Sequence, residues 1–279
     1  MPDYFRFFEE TNARDGETYT LDHLVLKHVA EDVTPGLTMF DLGYRDDDHH
    51  VRHLIAGAMT NDGRRDDPRS FLMSLTDLDH GSVFATTDFV SMRAGYMHLP
   101  DPYFTAESYG KVVGRSTDRS GNSISIPRLG VDQVFVLRGF GFRGQKDRNH
   151  HIREIAVRHN ARASTIDVDF IDDSPRDDEY FFEVHYFVLN AFCRPRSLNY
   201  CLVPVSDEFQ FRGEATRPKV RRGHGMLAGF RFRFDRSDRH LARIALDVRG
   251  RDSIYTAFGN RSGRHLVNAV VDYVVWESN

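Results

Sequence analysis

The chain has 279 residues, of which 40% are hydrophobic and 28% charged, so it is able to build a core and its composition is not that of a disordered chain. A net charge of −4 without a basic block gives no support for nucleic acid as a partner. No apolar run of about eighteen residues predicts a membrane span, and residues 1–10 do not resemble a secretory signal. The location is left open: a cytoplasmic, a non-classically secreted and a particle-associated protein are all compatible with the sequence.

In chain order, the first recurring pattern begins at Phe40. Residues 40–55 align without a gap with residues 230–245, and a third copy begins at Phe140. Each copy alternates apolar with polar or small residues, then passes through an Asp/Asn-x-His turn to an aliphatic residue. The aligned residues are Phe40, Leu42, Tyr44, Asp48, His50 and Leu54; Phe140, Phe142, Asn149, His151 and Ile155; and Phe230, Phe232, Phe234, Asp238, His240 and Ile244.

Each copy continues with a second alternating run and with a last run that carries a tyrosine. The second runs hold Phe71, Met73 and Leu75; Ile166, Val168 and Phe170; and Ile254 to Phe258. The tyrosines, Tyr96, Tyr186 and Tyr273, are spaced by 90 and 87 residues and are interpreted as core side chains. Alternation with Gly, Pro, Asp and Asn between the runs predicts an all-β protein of tandem antiparallel β-sandwich units of about 90 residues.

The predicted units are 1–100, 101–191 and 192–279, called the first, second and third unit below. The first thirty or so residues are expected to add a short helix or an edge strand. Turn-rich joins are predicted between the units, over 99–122 and over 193–216, because Pro, Asp, Gly and Asn cluster there.

A literal G-x-G-x-x-G motif occurs at Gly139, Gly141 and Gly144. In a dinucleotide-binding protein a helix with an apolar face begins at the last glycine. Here seven polar residues, 145–151, follow it, and the sister copy reads Phe-Arg-Phe-Arg-Phe at the corresponding place. The motif therefore predicts a strand, and no nucleotide or other cofactor is expected.

Residues 149–160, with Asn149, Arg153 and Asn160 around an alternating strand, resemble the central strands of H-type lectin domains. Residues 126–137 are similar to the strand that precedes them in that family, and 185–188 to the last strand. The resemblance covers about 120–190 best, and the Trp of the family's last strand is absent from the first two units, with only Trp276 to replace it. It implies small six-stranded sandwiches, trimeric or hexameric, that bind galactose-type sugars through loop Asp, Arg, His and aromatic residues.

The sequence thus indicates a non-catalytic protein that binds carbohydrate or a cell-surface glycan and self-assembles as a homo-oligomer. Asp and Asn exchange hydrogen bonds with vicinal hydroxyls, and a neutral His adds one donor and one acceptor. Of the 37 basic residues 33 are Arg, which with many Asp residues allows bidentate pairs between subunits. The candidate ligand-binding residues are Asp48, His50, Asn149, His151, Arg153, Asp238 and His240.

Two other functions stay open: a structural subunit of a phage-like or viral particle, and a metal-dependent enzyme on a β scaffold. His49, His50 and His53 beside Asp46–Asp48 form a mixed imidazole and carboxylate set. On a strand, however, His49 and His50 would point to opposite faces, so a solvated turn is favoured over a metal site. No G-x-S-x-G motif supports nucleophilic catalysis. Cys193 and Cys201 are interpreted as reduced, although their spacing also allows a small disulfide loop.

Overall fold

The computed structural model contains only β-strands among the residues it describes, which confirms the predicted all-β class. Within these residues no helix is long and apolar enough to cross a membrane. The described residues are 5–12, 23–28, 35–44, 51–57, 70–77, 90–98, 109–117, 121–144, 152–172, 179–191, 200–234, 241–259 and 265–278.

Eighteen strands follow one another in the described residues. Those before residue 100 are β1 Phe5–Asn12, β2 His23–His28, β3 Pro35–Tyr44, β4 Val51–Gly57, β5 Ser70–Asp77 and β6 Val90–His98. The next are β7 Tyr109–Thr117, β8 Asn122–Ser125, β9 Gln133–Gly144, β10 Ile152–Asn160, β11 Thr165–Asp172 and β12 Glu179–Asn190. The last are β13 Tyr200–Arg212, β14 Glu214–Pro218, β15 His224–Phe234, β16 Arg243–Asp247, β17 Ser253–Gly259 and β18 Leu266–Ser278.

The strands form three antiparallel sheets of six. Sheet A has the order β1-β6-β3-β16-β17-β14, sheet B β2-β5-β4-β9-β12-β7, and sheet C β13-β18-β15-β10-β11-β8. Each sheet therefore takes three strands from one predicted unit and three from another. Within every unit the first, sixth and third strands pair together, and so do the second, fifth and fourth. The unit boundaries at residues 100 and 191 stay a prediction.

The same irregularity recurs in the three units. Where the third strand pairs with the sixth, the register skips one residue, and a leucine just before the skip lies opposite a tyrosine. The skipped residues are Thr38, Arg138 and Ala228. The leucine and tyrosine pairs are Leu37 and Tyr96, Leu137 and Tyr186, and Leu227 and Tyr273. A β-bulge at the same place in each unit means that the aligned residues occupy equivalent positions.

Strands β3, β9 and β15, called the axial strands below, meet at the centre of the molecule. The rings of Phe40, Phe140 and Phe230 contact one another with centroids 4.9 to 5.2 Å apart. Four residues earlier, a Cβ on Gly36 would lie 2.9 Å from Sδ of Met226 and 3.0 Å from Cγ1 of Val136. Glycine at 36 permits this close approach. Because equivalent residues meet at two levels, the axial strands run in the same direction around a common axis.

Ion pairs cross between units on the outer faces of the sheets. Arg243 of β16 donates to both carboxylate oxygens of Asp41 of β3, at 2.8 and 2.7 Å. Arg158 of β10 does the same to Asp272 of β18, at 2.7 and 3.2 Å. These are the bidentate Arg–Asp pairs that the composition indicated, but here they join strands of one chain.

The glycine motif lies inside a strand, as predicted. Gly139, Gly141 and Gly144 all belong to β9, which continues from Gln133 to Gly144 and pairs with β12 and β4. No helix starts at Gly144 within the described residues. The repeat tyrosines are core side chains where the structure describes them, since Tyr186 and Tyr273 are both buried.

The two predicted joins are wrong in part, because they contain strands. Strand β7 lies within 99–122, and β13 and most of β14 lie within 193–216. The inward positions of β7 include Gly110 and Gly114, over which the rings of Tyr186 and Phe182 lie. Because these inward positions are glycine, the segment lacks the alternation of apolar and polar residues by which a strand is predicted from sequence. The first thirty residues hold the edge strands β1 and β2 rather than a helix in their described part.

The interpretation of two reduced cysteines is wrong for Cys201, which is disulfide-bonded. The sequence has one other cysteine, Cys193, which lies outside the described residues.

Candidate functional site

The outer face of sheet B carries an open cleft of about 510 Å³ over the strands β7, β12 and β9. Glu183 of β12 lies in register between Val113 of β7 and Gly141 of β9. Because side chains alternate between the two faces of a strand, Phe181 and Glu183 share the face that is turned away from the core. The cleft is lined by Val113, Gly114, Arg115, Gly141, Arg143, Phe181, Phe182 and Glu183.

The missing side chain of Gly141 leaves the cleft open. The equivalent residue one place after the axial phenylalanine is Asp41 in sheet A and Arg231 in sheet C. Asp41 is buried beneath its ion pair with Arg243, and Nε of Arg231 is buried as well. Side chains therefore fill this position in two sheets, whereas sheet B has none there.

An apolar surface with a cation above it forms one wall of the cleft. Phe181 is 42% exposed and Val113 60% exposed, and both line the same cleft. The guanidinium of Arg115 lies 4.4 Å from the centroid of the Phe181 ring. Its Nη1 is also 3.1 Å from Oε2 of Glu179, in a pair whose side chains are 57% and 39% exposed. The wall thus offers an aromatic surface together with N–H donors.

A carboxylate fixed by two neighbours forms the opposite wall. Oε1 of Glu183 lies 3.0 Å from Nζ of Lys111 and 2.5 Å from Nε2 of His185. Burial lowers the pKa of His185 against the opposing effect of Glu183, and the nearby Arg138 and Lys111 lower it further. His185 is therefore neutral near pH 7 and donates from Nε2 to the carboxylate.

Six of the seven ligand-binding residues predicted from sequence lie outside the described residues: Asp48, His50, Asn149, His151, Asp238 and His240. Arg153 is described: it is the partly buried bulge residue of β10, in sheet C, so it is not part of the cleft. The three Asp/Asn-x-His turns follow the axial strands, which all end on the same side of the molecule. The structure does not test their role in ligand binding.

The residues of the cleft were missed because no motif marks them. Phe181 and Glu183 belong to the alternating run of β12, but sequence alone does not tell which of its two faces is open to solvent. Arg115 and Val113 lie on β7, which was assigned to a join. The one indication in the sequence was Gly141, because the other two copies have a charged residue at that position and a missing side chain leaves space on the sheet.

No group of three or more His, Cys, Asp or Glu residues suited to a metal ion occurs in the described part of the chain. His49 and His50, for which a solvated turn was favoured over a metal site, lie outside that part. His53 is in β4, opposite Arg143.

In comparisons with known proteins, the chain matches no protein-family model and no curated protein sequence.

Proposed function

We propose that this chain is a carbohydrate-binding protein without catalytic activity and that the cleft on sheet B is its sugar site. The observation that supports this most directly is the position of Phe181, whose ring is 42% exposed in an open cleft beside the fixed carboxylate of Glu183. An aromatic ring offers an apolar surface to the C–H face of a pyranose. A carboxylate and guanidinium groups exchange hydrogen bonds with its hydroxyls.

The cleft suits an oligosaccharide in size and in rigidity. Its volume of about 510 Å³ lies in the usual range for small-ligand sites, roughly 300–1,000 Å³. Lys111 and His185 hold Glu183, so a ligand meets a carboxylate that is already oriented. Such pre-organisation lowers the entropic cost of binding.

The resemblance to H-type lectin domains is part of the proposal and agrees with an all-β sandwich of antiparallel sheets. The Asp/Asn-x-His turns would be a second set of sugar contacts. Self-assembly also stays a prediction. Its physical motive is that β1, β14, β2, β7, β13 and β8 are edge strands in the described sheets, and edge strands tend to pair with further strands.

A glycan array followed by calorimetry with the best ligand tests the site. Phe181→Ala should lower the affinity about two- to tenfold, since loss of one stacking contact costs about 0.5–1.5 kcal/mol. Glu183→Gln should lower it about three- to tenfold, because an amide replaces a charged acceptor. Val220→Ala, at an apolar residue that is 79% exposed elsewhere, is the matched control and should bind as the parent does. Equal affinity of all four proteins would refute the site.

Gly141→Asp tests the geometry, because it places in sheet B the residue that sheet A carries at position 41. Gly141 does not have a positive φ, so β9 should accept the side chain. The carboxylate would enter the cleft directly opposite Glu183, and glycan binding should fall below detection. Like charges at paired positions should also lower the thermal midpoint, so circular dichroism verifies that the variant is folded. Gly130→Asp, in an exposed turn, is the control. Unchanged glycan binding by Gly141→Asp would show that the sugar binds elsewhere.

A further inference from the structure

Two pairs of loops have the same construction in the second and third units. In the second unit, loop 126–132 lies beside loop 161–164, with the N–H of Ile126 donating to the carbonyl of Ser164 at 2.9 Å. In the third, loop 219–223 lies beside loop 248–252, with the N–H of Lys219 donating to the carbonyl of Asp252 at 2.9 Å. We call these the second and third loop pairs.

Both loop pairs lie at the same end of the molecule. Loop 126–132 leads directly into β9, and loop 219–223 leads into β15. These two axial strands run in the same direction, and Val136 and Met226, near their starts, both contact Gly36. The loop pairs are therefore neighbours at the end of the molecule where the axial strands begin.

Each loop pair presents an exposed valine. Val131 is fully exposed, at 102% of its reference area, and Val220 is 79% exposed. Neither belongs to a strand, and a β-branched apolar residue is an unfavourable choice for a solvated turn. Two exposed valines at the same end of the molecule are more informative than one, because isolated exposed apolar residues are normal on protein surfaces.

Basic residues outnumber acidic ones in the four loops, although Asp132 follows Val131 and Asp207 accepts from the N–H of Val220. The four loops contain seven basic residues and two acidic ones, in a chain whose net charge is −4. Of the arginines, five are exposed: Arg128, Arg162, Arg221, Arg222 and Arg251. Arg222 faces Asp252 at 3.3 Å, but both side chains are more than half exposed, so water screens this pair. The field at this end therefore favours an anionic partner.

We infer that this end of the molecule is a docking surface for an anionic lipid bilayer. Exposed valines gain free energy only in an apolar medium, which the acyl region of a bilayer supplies and a soluble polyanion does not. Guanidinium groups beside the valines lie at the depth of the lipid phosphates and bind them in bidentate fashion. The surface is separate from the cleft on sheet B, so the inference does not depend on the proposed sugar site.

Sedimentation of the full chain with vesicles tests the inference. Vesicles of phosphatidylcholine mixed with phosphatidylserine should bind the protein at low salt, and pure phosphatidylcholine vesicles should bind it far more weakly. The R222Q/R251Q variant should lower the partition coefficient roughly 25-fold, at about fivefold for each guanidinium. The V131N/V220N variant should lower it about tenfold, because each valine loses its buried apolar area.

R212Q/R233Q is the matched control. It removes the same charge at the opposite end, where Arg212 lies opposite Leu266 and Arg233 opposite Asn268, and should bind vesicles as the parent does. Because Arg233 lies 3.6 Å from the buried Glu154, R212Q alone, compared with R222Q alone, repeats the control without removing the partner of Glu154. Circular dichroism of every variant verifies the fold. Absence of binding to anionic vesicles at low salt would overturn the inference. Retention on a soluble sulfated polysaccharide with V131N/V220N unaffected on vesicles would overturn it too, in favour of a polyanion site.

Discussion

The ring of Phe140 lies edge-on to the ring of Phe40, with centroids 5.0 Å apart and planes inclined at 71°, although the two residues are a hundred positions apart in the chain. Phe230 contacts both. Each of the three comes from a different axial strand, and all three are fully buried. The contact joins the three predicted units at one centre, so the units do not have separate cores there.

Phe140→Ala should therefore destabilise the whole chain. Deleting a buried phenylalanine side chain costs about 3–5 kcal/mol, and here it opens a cavity shared by three strands. Denaturant unfolding monitored by tryptophan fluorescence and by circular dichroism should give one transition for the parent and one, at lower denaturant, for the variant. Trp276 is the single tryptophan, so the two probes report different parts of the molecule.

The control for this prediction is Phe181→Ala, which removes the same side chain from a position that is 42% exposed. Its cost should be less than about 1.5 kcal/mol. Separate transitions by the two probes in the parent would show that the units unfold independently and that the phenylalanine contact does not couple them.

The ion pair between Asp41 and Arg243 should contribute to stability, because it links a strand of the first unit to a strand of the third. Asp41 is only 6% exposed, so Arg243→Met would leave a buried carboxylate without its bidentate partner and should cost about 2–3 kcal/mol. In Asp41→Asn/Arg243→Met neither charge is left, and the loss should be smaller than the sum of the single losses. A double-mutant cycle by chemical denaturation should give a coupling of about 1–2 kcal/mol.

Arg222 and Asp252 provide the comparison, because their 3.3 Å contact is exposed on both sides. The same cycle there should give a coupling near zero. If the buried and the exposed pairs gave equal couplings, Arg243 would contribute nothing beyond a surface contact.

Strand content could be predicted because period-two alternation is a local property. The positions of Phe40, Phe140 and Phe230 followed from aligning the copies, and the structure places them at equivalent sites. The pairing of β3 with β16, of β4 with β9 and of β10 with β15 could not be predicted. Those contacts join residues that are far apart in sequence, and alternation does not tell which two edges meet.

The residues of the cleft could not be predicted from the sequence, for a different reason. An outward residue such as Phe181 and an inward one such as Phe182 look alike in sequence, and only the packing of the second sheet decides which one is buried. Gly141 belongs to the glycine motif, from which only the absence of a nucleotide site was concluded. The other two copies have Asp41 and Arg231 at this position, so the sequence also indicates that the second unit lacks a side chain at this place.

Asp169 should be a destabilising residue at neutral pH. Burial, together with the neighbouring Glu154 and Asp167, raises its pKa to about 6 against the opposing effect of Arg231. Between about pH 4 and about pH 6 the folded state binds more protons than the unfolded state, so the contribution of this group to stability is lost as the pH rises. Asp169→Asn should raise the free energy of unfolding near pH 7 by about 1–2 kcal/mol and should leave it unchanged near pH 4.

Asp167→Asn is the matched substitution two residues earlier on the same strand. Oδ1 of Asp167 accepts hydrogen bonds from Ser123 at 2.6 Å and from Thr165 at 2.9 Å, so its replacement should lower stability near pH 7 by about 1 kcal/mol. Thermal unfolding at both pH values distinguishes the two. Stabilisation by Asp169→Asn of the same size at both pH values would mean that its effect does not come from ionisation.

Because of Lys219, the free energy of unfolding should increase as the pH rises above about 8. Its Nζ donates to the carbonyls of Gly223 and Val248, both at 2.7 Å, and lies 5.1 Å from the centroid of the Tyr273 ring. Burial lowers its pKa to about 8, and Asp247, Asp207 and Asp252 offset part of this effect. A neutral amine still has two N–H groups for the two carbonyls, so deprotonation removes the cost of the buried charge without breaking these bonds.

The sign follows from proton binding. Above about pH 8 the folded chain releases the Lys219 proton, whereas the unfolded chain keeps it up to its ordinary value of 10.5, so the free energy of unfolding rises with pH in this window. Between about pH 8 and about pH 10 the gain should be at most about 2–3 kcal/mol. Tyr273 donates to Asp207 at 2.7 Å, and burial raises its pKa, so its opposite contribution begins only above about pH 10. Urea unfolding across the window should show the rise in the parent and in Val220→Met, a neighbour without a titratable group, but not in Lys219→Met. An equal rise in all three proteins would assign it to other groups.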